Sequence, residues 1–147
     1  MKVALASDHA GFEMKQLIAS HLQAANHEVL DLGTDGPASV DYPDYGAAIG
    51  EAVVSGQAEF GVAICGSGIG ICMAASKVKG TRAATVHDVT SARLSRLHND
   101  ANIMCLGQRF TGPQVALDAV DAFLAGPFEG GRHARRVDKI MKLERNE

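Results

Sequence analysis

The segment 60–75, FGVAICGSGIGICMAA, decides the fold. Its first six residues, 60–65, are almost wholly apolar, which is typical of a strand buried on both faces of a parallel sheet. Three glycines, Gly66, Gly68 and Gly70, follow within five residues, and an apolar helical segment comes next. A buried strand that passes through a glycine turn into a helix indicates a βαβ unit.

The same alternation runs through the whole sequence. The predicted strands are 2–6, 28–32, 60–65, 82–86 and 103–106. The predicted helices are 11–25, 43–55, one that starts within 66–71, 88–97, 113–124 and 132–143. We expect an α/β fold, a three-layer α/β/α sandwich around a five-stranded parallel Rossmann-like sheet, with an extra C-terminal helix. A single domain over 1–147 is expected because domains average about 150 residues.

Composition narrows the class of function. Hydrophobic residues make up 46% and charged residues 21%, which is enough apolar material for a core. A net charge of -3 gives no drive toward nucleic acid, and the N-terminal apolar run is too short for a membrane or signal segment. Three cysteines without a disulfide pattern indicate reduced thiols. We therefore expect a cytoplasmic protein that binds a small molecule, with no nucleic acid or membrane partner.

Ligands of open parallel sheets bind beyond the carboxyl ends of the strands. This rule selects the loops 7–11, 65–70 and 87–88, which follow the first, third and fourth predicted strands. The glycine-rich loop 65–70 offers backbone N–H groups to an anion. A generic nucleotide-binding turn is the competing interpretation, but Ile71 stands where a dinucleotide fingerprint needs glycine and no Gly-Lys-Ser/Thr is present. The loop therefore favours a smaller anion.

Cys65 stands at the carboxyl end of a strand, where a following helix N-terminus can stabilise the thiolate. Such a thiol is a candidate base. The alternatives are a small buried hydrophobe, which is how we interpret Cys72 and Cys105, and a redox-sensing thiol.

Several basic residues form a candidate anion site. Arg132 and Arg136 are four residues apart on one helix face, directly after Gly130 and Gly131. Cations at a helix N-terminus oppose the dipole unless an anion binds there, so a phosphate clamp competes with an ordinary solvated face. Arg109 could join this clamp.

His98, near the end of a predicted helix, is either a proton donor or a solvated capping residue. Asp8 and His9 follow no known ligand spacing, so no metal site is expected.

Six motifs in order, SDHAGF, DYPDY, ICGSGIG, SRLHND, LGQR and EGGRHARRV, resemble one family from end to end. This is the sugar-phosphate isomerase family that includes type B ribose-5-phosphate, galactose-6-phosphate and allose-6-phosphate isomerases. The resemblance implies aldose–ketose isomerisation through an enediolate without metal or organic cofactor. It also implies a homodimer or tetramer whose active site is shared between subunits. The substrate is left open between ribose 5-phosphate and another phosphorylated aldose, and a non-catalytic phosphosugar- or nucleotide-binding module is the alternative from another class.

The resemblance also assigns roles. Cys65 would be the base, His98 would open the furanose ring with help from Asp8, and the hydroxyl of Ser67 would bond the reacting oxygens. Some relatives replace the cysteine with a carboxylate arrangement, so Cys65 places this chain in the thiol-dependent branch. The implied substrate contacts are Asp8, His9, Tyr42, Gly66, Ser67, Gly68, Ile69, Gly70, Asn99, Arg109, Arg132 and Arg136.

Overall fold

A computed structural model describes residues 1–147 and contains five strands and six α-helices. The strands are β1 (Lys2–Ser7), β2 (Glu28–Asp31), β3 (Phe60–Cys65), β4 (Ala83–Thr85) and β5 (Ile103–Gly107). The helices are α1 (Phe12–Ala24), α2 (Tyr42–Val54), α3 (Ile69–Ala75), α4 (Val89–Asn99), α5 (Pro113–Ala125) and α6 (Arg132–Glu144).

The strands form one parallel sheet in the order β2-β1-β3-β5-β4, which confirms the predicted α/β sandwich. Helices α1, α4 and α5 cover one face, α2 and α3 cover the other, and α6 packs on α4 outside the sheet. No helix is both long and apolar enough to cross a membrane.

Alternating residues of the central strands feed two separate cores. In β3, Val62 and Ile64 pack toward α1, α4 and α5, whereas Ala63 and Cys65 pack toward α2 and α3. All four are almost fully buried. The alternation follows from the period of two along a strand, and it places the side chain of Cys65 on the side of α3.

Most predicted boundaries differ from the observed ones by one or two residues, and three differences have a clear structural reason. The strand β4 covers three residues instead of 82–86, because the N–H of Arg82 donates to Oδ1 of Asn102 at 2.8 Å and so leaves the ladder. A short 3-10 helix, His9–Gly11, precedes α1 and was not predicted. Helix α4 extends to Asn99, since Asp100 ends it in the left-handed conformation with φ of 47°.

The topology creates two functionally different edges of the sheet. At the carboxyl edge, β1 and β3 are neighbours whose connections leave in opposite directions, and this switch point is where open sheets bind ligands. At the amino edge lie the segments that enter the strands, among them the end of α4, which returns from the carboxyl edge before β5 begins.

Candidate active site

Cys65 is the last residue of β3 and lines a cleft at the switch point. The residue is only 4% exposed, and its Sγ accepts a hydrogen bond from the backbone N–H of Gly68 at 3.1 Å. A sulfur that carries negative charge accepts such a bond more strongly than a neutral thiol. The loop therefore both fixes the sulfur in position and directs a donor at it.

The glycine loop is pressed against β5. Gly68 has φ of +75°, and a Cβ there would lie 2.7 Å from the backbone of β5. At Gly107, at the end of β5, a Cβ would lie 2.5 Å from the backbone of Ser67. Thr85 Oγ1 donates to the carbonyl of Gly68 at 3.0 Å. Only glycine permits this approach, so the position of the donor to the thiol depends on backbone packing.

Two of the loop N–H groups are used inside the loop. The N–H of Gly68 bonds the thiol sulfur, and that of Ile69 donates to Oγ of Ser67 at 3.2 Å. The expectation that the whole loop supplies free donors is therefore too broad, and Gly68 lies behind the wall of the cleft. The N–H groups that make no hydrogen bond within the chain are those of Gly66, Ser67 and Gly70.

Asp8 and His9 follow β1 and form a second wall. Oδ1 of Asp8 accepts from the N–H groups of Ala10 and Gly11 at 3.0 and 3.1 Å, which caps the short 3-10 helix. Nδ1 of His9 accepts from the N–H of Val40 at 3.1 Å. In a neutral ring the proton then resides on Nε2, so His9 presents an N–H donor.

Tyr42 and Arg109 complete the cleft. Tyr42 begins α2, and its ring lies so close to Gly70 that a Cβ there would be 2.6 Å from Cε1. The guanidinium of Arg109 lies against Gly66 and makes no ion pair within the chain. The cleft has a volume of about 420 Å³. The predicted residues that line it are Asp8, His9, Tyr42, Cys65, Gly66, Ser67, Ile69, Gly70 and Arg109.

Apart from Gly68, which lies behind the wall of this cleft, the remaining predicted residues lie at the amino edge. They are His98, Asn99, Arg132 and Arg136. His98 is in the last turn of α4, and the N–H of Glu129 donates to the carbonyl of Leu97 at 3.0 Å, which ties the start of α6 to the end of α4. Within one chain, Arg109 therefore lies apart from the arginines of α6, because it follows β5 at the opposite edge.

The two groups are separated along the strand direction of the sheet. The N–H of Gly61, near the start of β3, donates to the carbonyl of Asn102, three residues after α4 ends. Cys65 lies four residues further along β3, which corresponds to about 13 Å at roughly 3.3 Å per residue. Within one chain, His98 therefore belongs to the other edge of the sheet from the thiol.

A second and larger cleft, of about 530 Å³, lies at the amino edge and includes Asn99, Arg82 and Ile140 in its lining. Arg82 is already paired, because its Nη2 lies 3.4 Å from Oδ2 of Asp100. The smaller cleft contains the thiol and the unpaired Arg109, so we take it as the part of the candidate site in which the reaction takes place.

Sequence reasoning missed three residues near the site. Met73, on the exposed side of α3, lines the cleft of Cys65, and its helical spacing from Ile69 was the available signal. His133 and Glu129 surround His98, and only the structure brings these segments together.

Cys72 is not the inert thiol that the sequence suggested. Hydrogen bonds with Cys105, Thr85 and Ser76 lower the pKa of Cys72 to about 6, although burial opposes this shift. The same contact with Cys72, together with burial, raises the pKa of Cys105. Thiol-labelling experiments on this chain must therefore distinguish Cys72 from Cys65.

A buried thiol, free backbone N–H donors and an unpaired arginine at the switch point of a parallel sheet define an α/β enzyme that acts on a small anionic ligand.

Comparisons with known proteins agree and are more specific. The family described as Ribose/Galactose Isomerase matches residues 3–140. The probable ribose-5-phosphate isomerase B of Mycoplasma pneumoniae is 45% identical over 144 residues, which cover 97% of this chain and 95% of the relative. The ribose-5-phosphate isomerase B of Escherichia coli is 43% identical over 143 residues, covering 97% and 96%. The chain belongs to the ribose/galactose isomerase family.

Solved structures match equally well. The ribose-5-phosphate isomerase B of Clostridium thermocellum has a TM-score of 0.98 and 51% identity, with 99% of each chain covered. The Mycoplasma genitalium ribose-5-phosphate isomerase B with bound ribulose-5-phosphate has a TM-score of 0.94 and 42% identity, covering 99% of this chain and 97% of that one.

Proposed function

We propose that this chain interconverts D-ribose 5-phosphate and D-ribulose 5-phosphate through an enediolate, with Cys65 as the base, as a step of the pentose phosphate pathway. The observation that carries the proposal is the sulfur of Cys65, held by the N–H of Gly68 in a cleft lined with unused donors. The named relatives and the neighbour with bound ribulose-5-phosphate support it. We treat 1–147 as one isomerase domain, acting in the cytoplasm where its three free thiols stay reduced.

The chemistry needs a base beside the carbon-bound proton and donors for the oxygen that becomes negative. The thiolate of Cys65 removes the proton from C2 of the open-chain aldose, and the resulting thiol returns it to C1 of the enediolate. The proton of the C2 hydroxyl passes to O1, so that O1 becomes a hydroxyl and O2 becomes the ketose carbonyl. The unused N–H groups of the loop stabilise the negative oxygen. Ser67 Oγ already accepts from Ile69, so its own proton is free to bond the reacting oxygens.

The other proposed residues bind the substrate and open its ring. His98 transfers the proton that opens the furanose, and the second oxygen of Asp8 helps hold the sugar. His9, through Nε2–H, binds the phosphate together with the arginines of α6. The proposed further contacts are Tyr42, Gly66, Ile69, Gly70, Asn99 and Arg109.

These roles require a second copy of the chain. The thiol and His98 lie at opposite edges of the sheet, so no single chain brings them to one substrate. We infer a homodimer, which pairs further into a tetramer in some assemblies, in which the carboxyl edge of one copy faces the amino edge of the other. Exposed apolar side chains flank both faces: Ile69 is 53% and Met73 64% exposed beside the thiol, and Leu143 is 75% exposed on α6.

Another phosphorylated aldose is the second candidate substrate, because the matching family includes galactose isomerases. Values of kcat/KM on ribose 5-phosphate, allose 6-phosphate, galactose 6-phosphate and a tetrose phosphate decide between them. We expect ribose 5-phosphate to have the largest value. A larger value for a hexose phosphate would replace the proposed substrate while leaving the chemistry intact.

The variant Cys65→Ala tests the base. It is expected to bind ribose 5-phosphate and to lose at least about 100-fold in kcat, the lower range for a general base. Cys72→Ala is the matched control, since it removes a thiol from outside the cleft lining. Near-normal turnover by Cys65→Ala would exclude the thiol base, and binding without turnover by the unmodified chain would favour a non-catalytic module.

A further inference from the structure

Two histidine rings are stacked at the amino edge of the sheet. His98, in the last turn of α4, and His133, in the first turn of α6, have ring centroids 4.4 Å apart and planes inclined by only 12°. His133 is 6% exposed, and its buried Nε2 makes no hydrogen bond. The nearest acidic atom, Oε2 of Glu129, is 3.7 Å away, which is beyond hydrogen-bond distance.

Its surroundings keep His133 neutral. Burial lowers the pKa of His133, and positive charge on His98, Arg132 and Arg136 lowers it further, while Glu129 acts in the opposite direction. A neutral aromatic face attracts a cation stacked on it, whereas two charged rings would repel each other.

A metal site is the other arrangement that this cluster suggests. Donor atoms of His98, Glu129 and His133 lie within 4.8 Å of one another. Parallel stacked rings, however, direct their in-plane lone pairs side by side instead of toward one point, and Arg132 and Arg136 repel a cation. The geometry favours ring stacking.

We propose that His133 is a positioning residue that acts through His98: its buried, neutral ring holds the His98 imidazole in one orientation for proton transfer. The catalytic part of this inference rests on the proposed ring-opening role of His98. Stacking restricts the rotamers that a half-exposed histidine would otherwise sample, and misplacing a reacting group by about 1 Å costs up to about 100-fold in rate. Burial of His133 in the first turn of α6, where this helix packs on α4, keeps the support itself fixed.

Two variants separate stacking from simple packing. His133→Phe retains a flat aromatic face, and His133→Leu fills a comparable volume without one. We expect kcat on ribose 5-phosphate to fall by roughly tenfold or more in His133→Leu and to stay within about threefold of the unmodified enzyme in His133→Phe. KM should change little in either. Equal kcat values in two variants of equal melting temperature would overturn the proposal, because packing alone would then account for both.

Proton NMR of His98 provides a readout that needs no substrate. The ring current of a stacked neighbour shifts the carbon-bound protons of His98 upfield, and His98→Asn identifies the signals. The shift should persist in His133→Phe and disappear in His133→Leu. If the upfield shift disappears in His133→Leu as expected while the unmodified chain has no isomerase activity, the stacking of the two rings is supported and the proposed function is wrong. An unchanged shift in His133→Leu refutes the stack, whatever the activity.

Acidification gives a second signature. Protonation of His133, at a pH below the usual value for histidine, makes the supporting ring cationic beside Arg132 and Arg136 and should abolish the upfield shift of His98. His133→Phe cannot take up a proton, so its stack should survive the same acidification. Loss of the shift at the same pH in both proteins would contradict the role given to a neutral His133.

Discussion

A dimer built from two differently inactivated chains tests whether the active site is shared. One chain carries Cys65→Ala, which removes the proposed base, and the other carries His98→Asn, which removes the imidazole proposed to open the ring. In a shared arrangement, one of the two sites of the hybrid combines an intact thiol with an intact imidazole, and the second site contains both changes. We therefore expect about half of the wild-type kcat per dimer. Each parental homodimer should lose at least about 100-fold.

The assay uses chains with two different affinity tags, purified in tandem so that only hybrids remain, and follows ketose formation from ribose 5-phosphate. The matched control pairs an unmodified chain with one that carries both substitutions. A shared site predicts that this control is nearly inactive, because each of its sites contains one defect. A site within one chain predicts the opposite order: an active control and an inactive first hybrid. That inverted result would refute the argument from opposite edges of the sheet.

Three further predictions concern single chains. A Cβ at Gly107 would lie 2.5 Å from the backbone of the glycine loop, so Gly107→Ala should lower the free energy of unfolding in urea by about 1–3 kcal/mol. A Cβ at Gly36 has no atom within 4 Å, so the control Gly36→Ala should change this free energy by less than about 0.5 kcal/mol. The side chain of Lys15 is 1% exposed, and its ammonium lies 2.7 Å from both carboxylate oxygens of Asp31. Asp31→Asn leaves this charge buried and unpaired, so it should lower the free energy of unfolding by about 2–4 kcal/mol, which is more than for Lys15→Met. The reverse order of the two variants in denaturation would contradict this. The pKa of about 6 for Cys72 predicts that the rate of its labelling by iodoacetamide rises through that pH, as the thiolate forms, and levels off above it. Peptide mass mapping identifies the labelled cysteine. A labelling rate of Cys72 that still rises steeply at pH 9 would contradict the shift.

The fold was predictable because its elements have local signals. The buried strand 60–65 was predicted with its correct boundaries, and the helix predicted to start at 88 begins directly after its N-cap, Asp88. The short β4 was overestimated, since the side chain of Asn102 replaces a ladder partner and no local pattern encodes that contact. Strand order likewise depends on long-range pairing.

Half of the candidate site was predictable for the same reason. The carboxyl-end rule selected the loops that contain Asp8 and Cys65, and the structure places them in one cleft. The rule says nothing about the amino edge, where His98 contacts His133 because α4 packs against α6. A contact between two helices distant in sequence has no local signal. The use of the Gly68 N–H inside the loop was equally hidden, because it depends on a left-handed backbone pressed against β5.

The proposed sharing of the site between two copies also accounts for the unusual charge at the start of α6. Arg132 and Arg136 make no ion pair within the chain, and no acidic residue lies in the first turn of the helix. Two cations at a helix N-terminus are unfavourable in an isolated chain, by roughly 0.3–1 kcal/mol each. A phosphate bound between copies would offset this cost, while its sugar reaches the thiol of the other chain. We infer that the substrate favours the dimer over the free chains. It would pair with the arginines of α6 at the amino edge of one copy and with the free N–H groups of the glycine loop at the carboxyl edge of the other, and neither copy provides both sets of groups at one place.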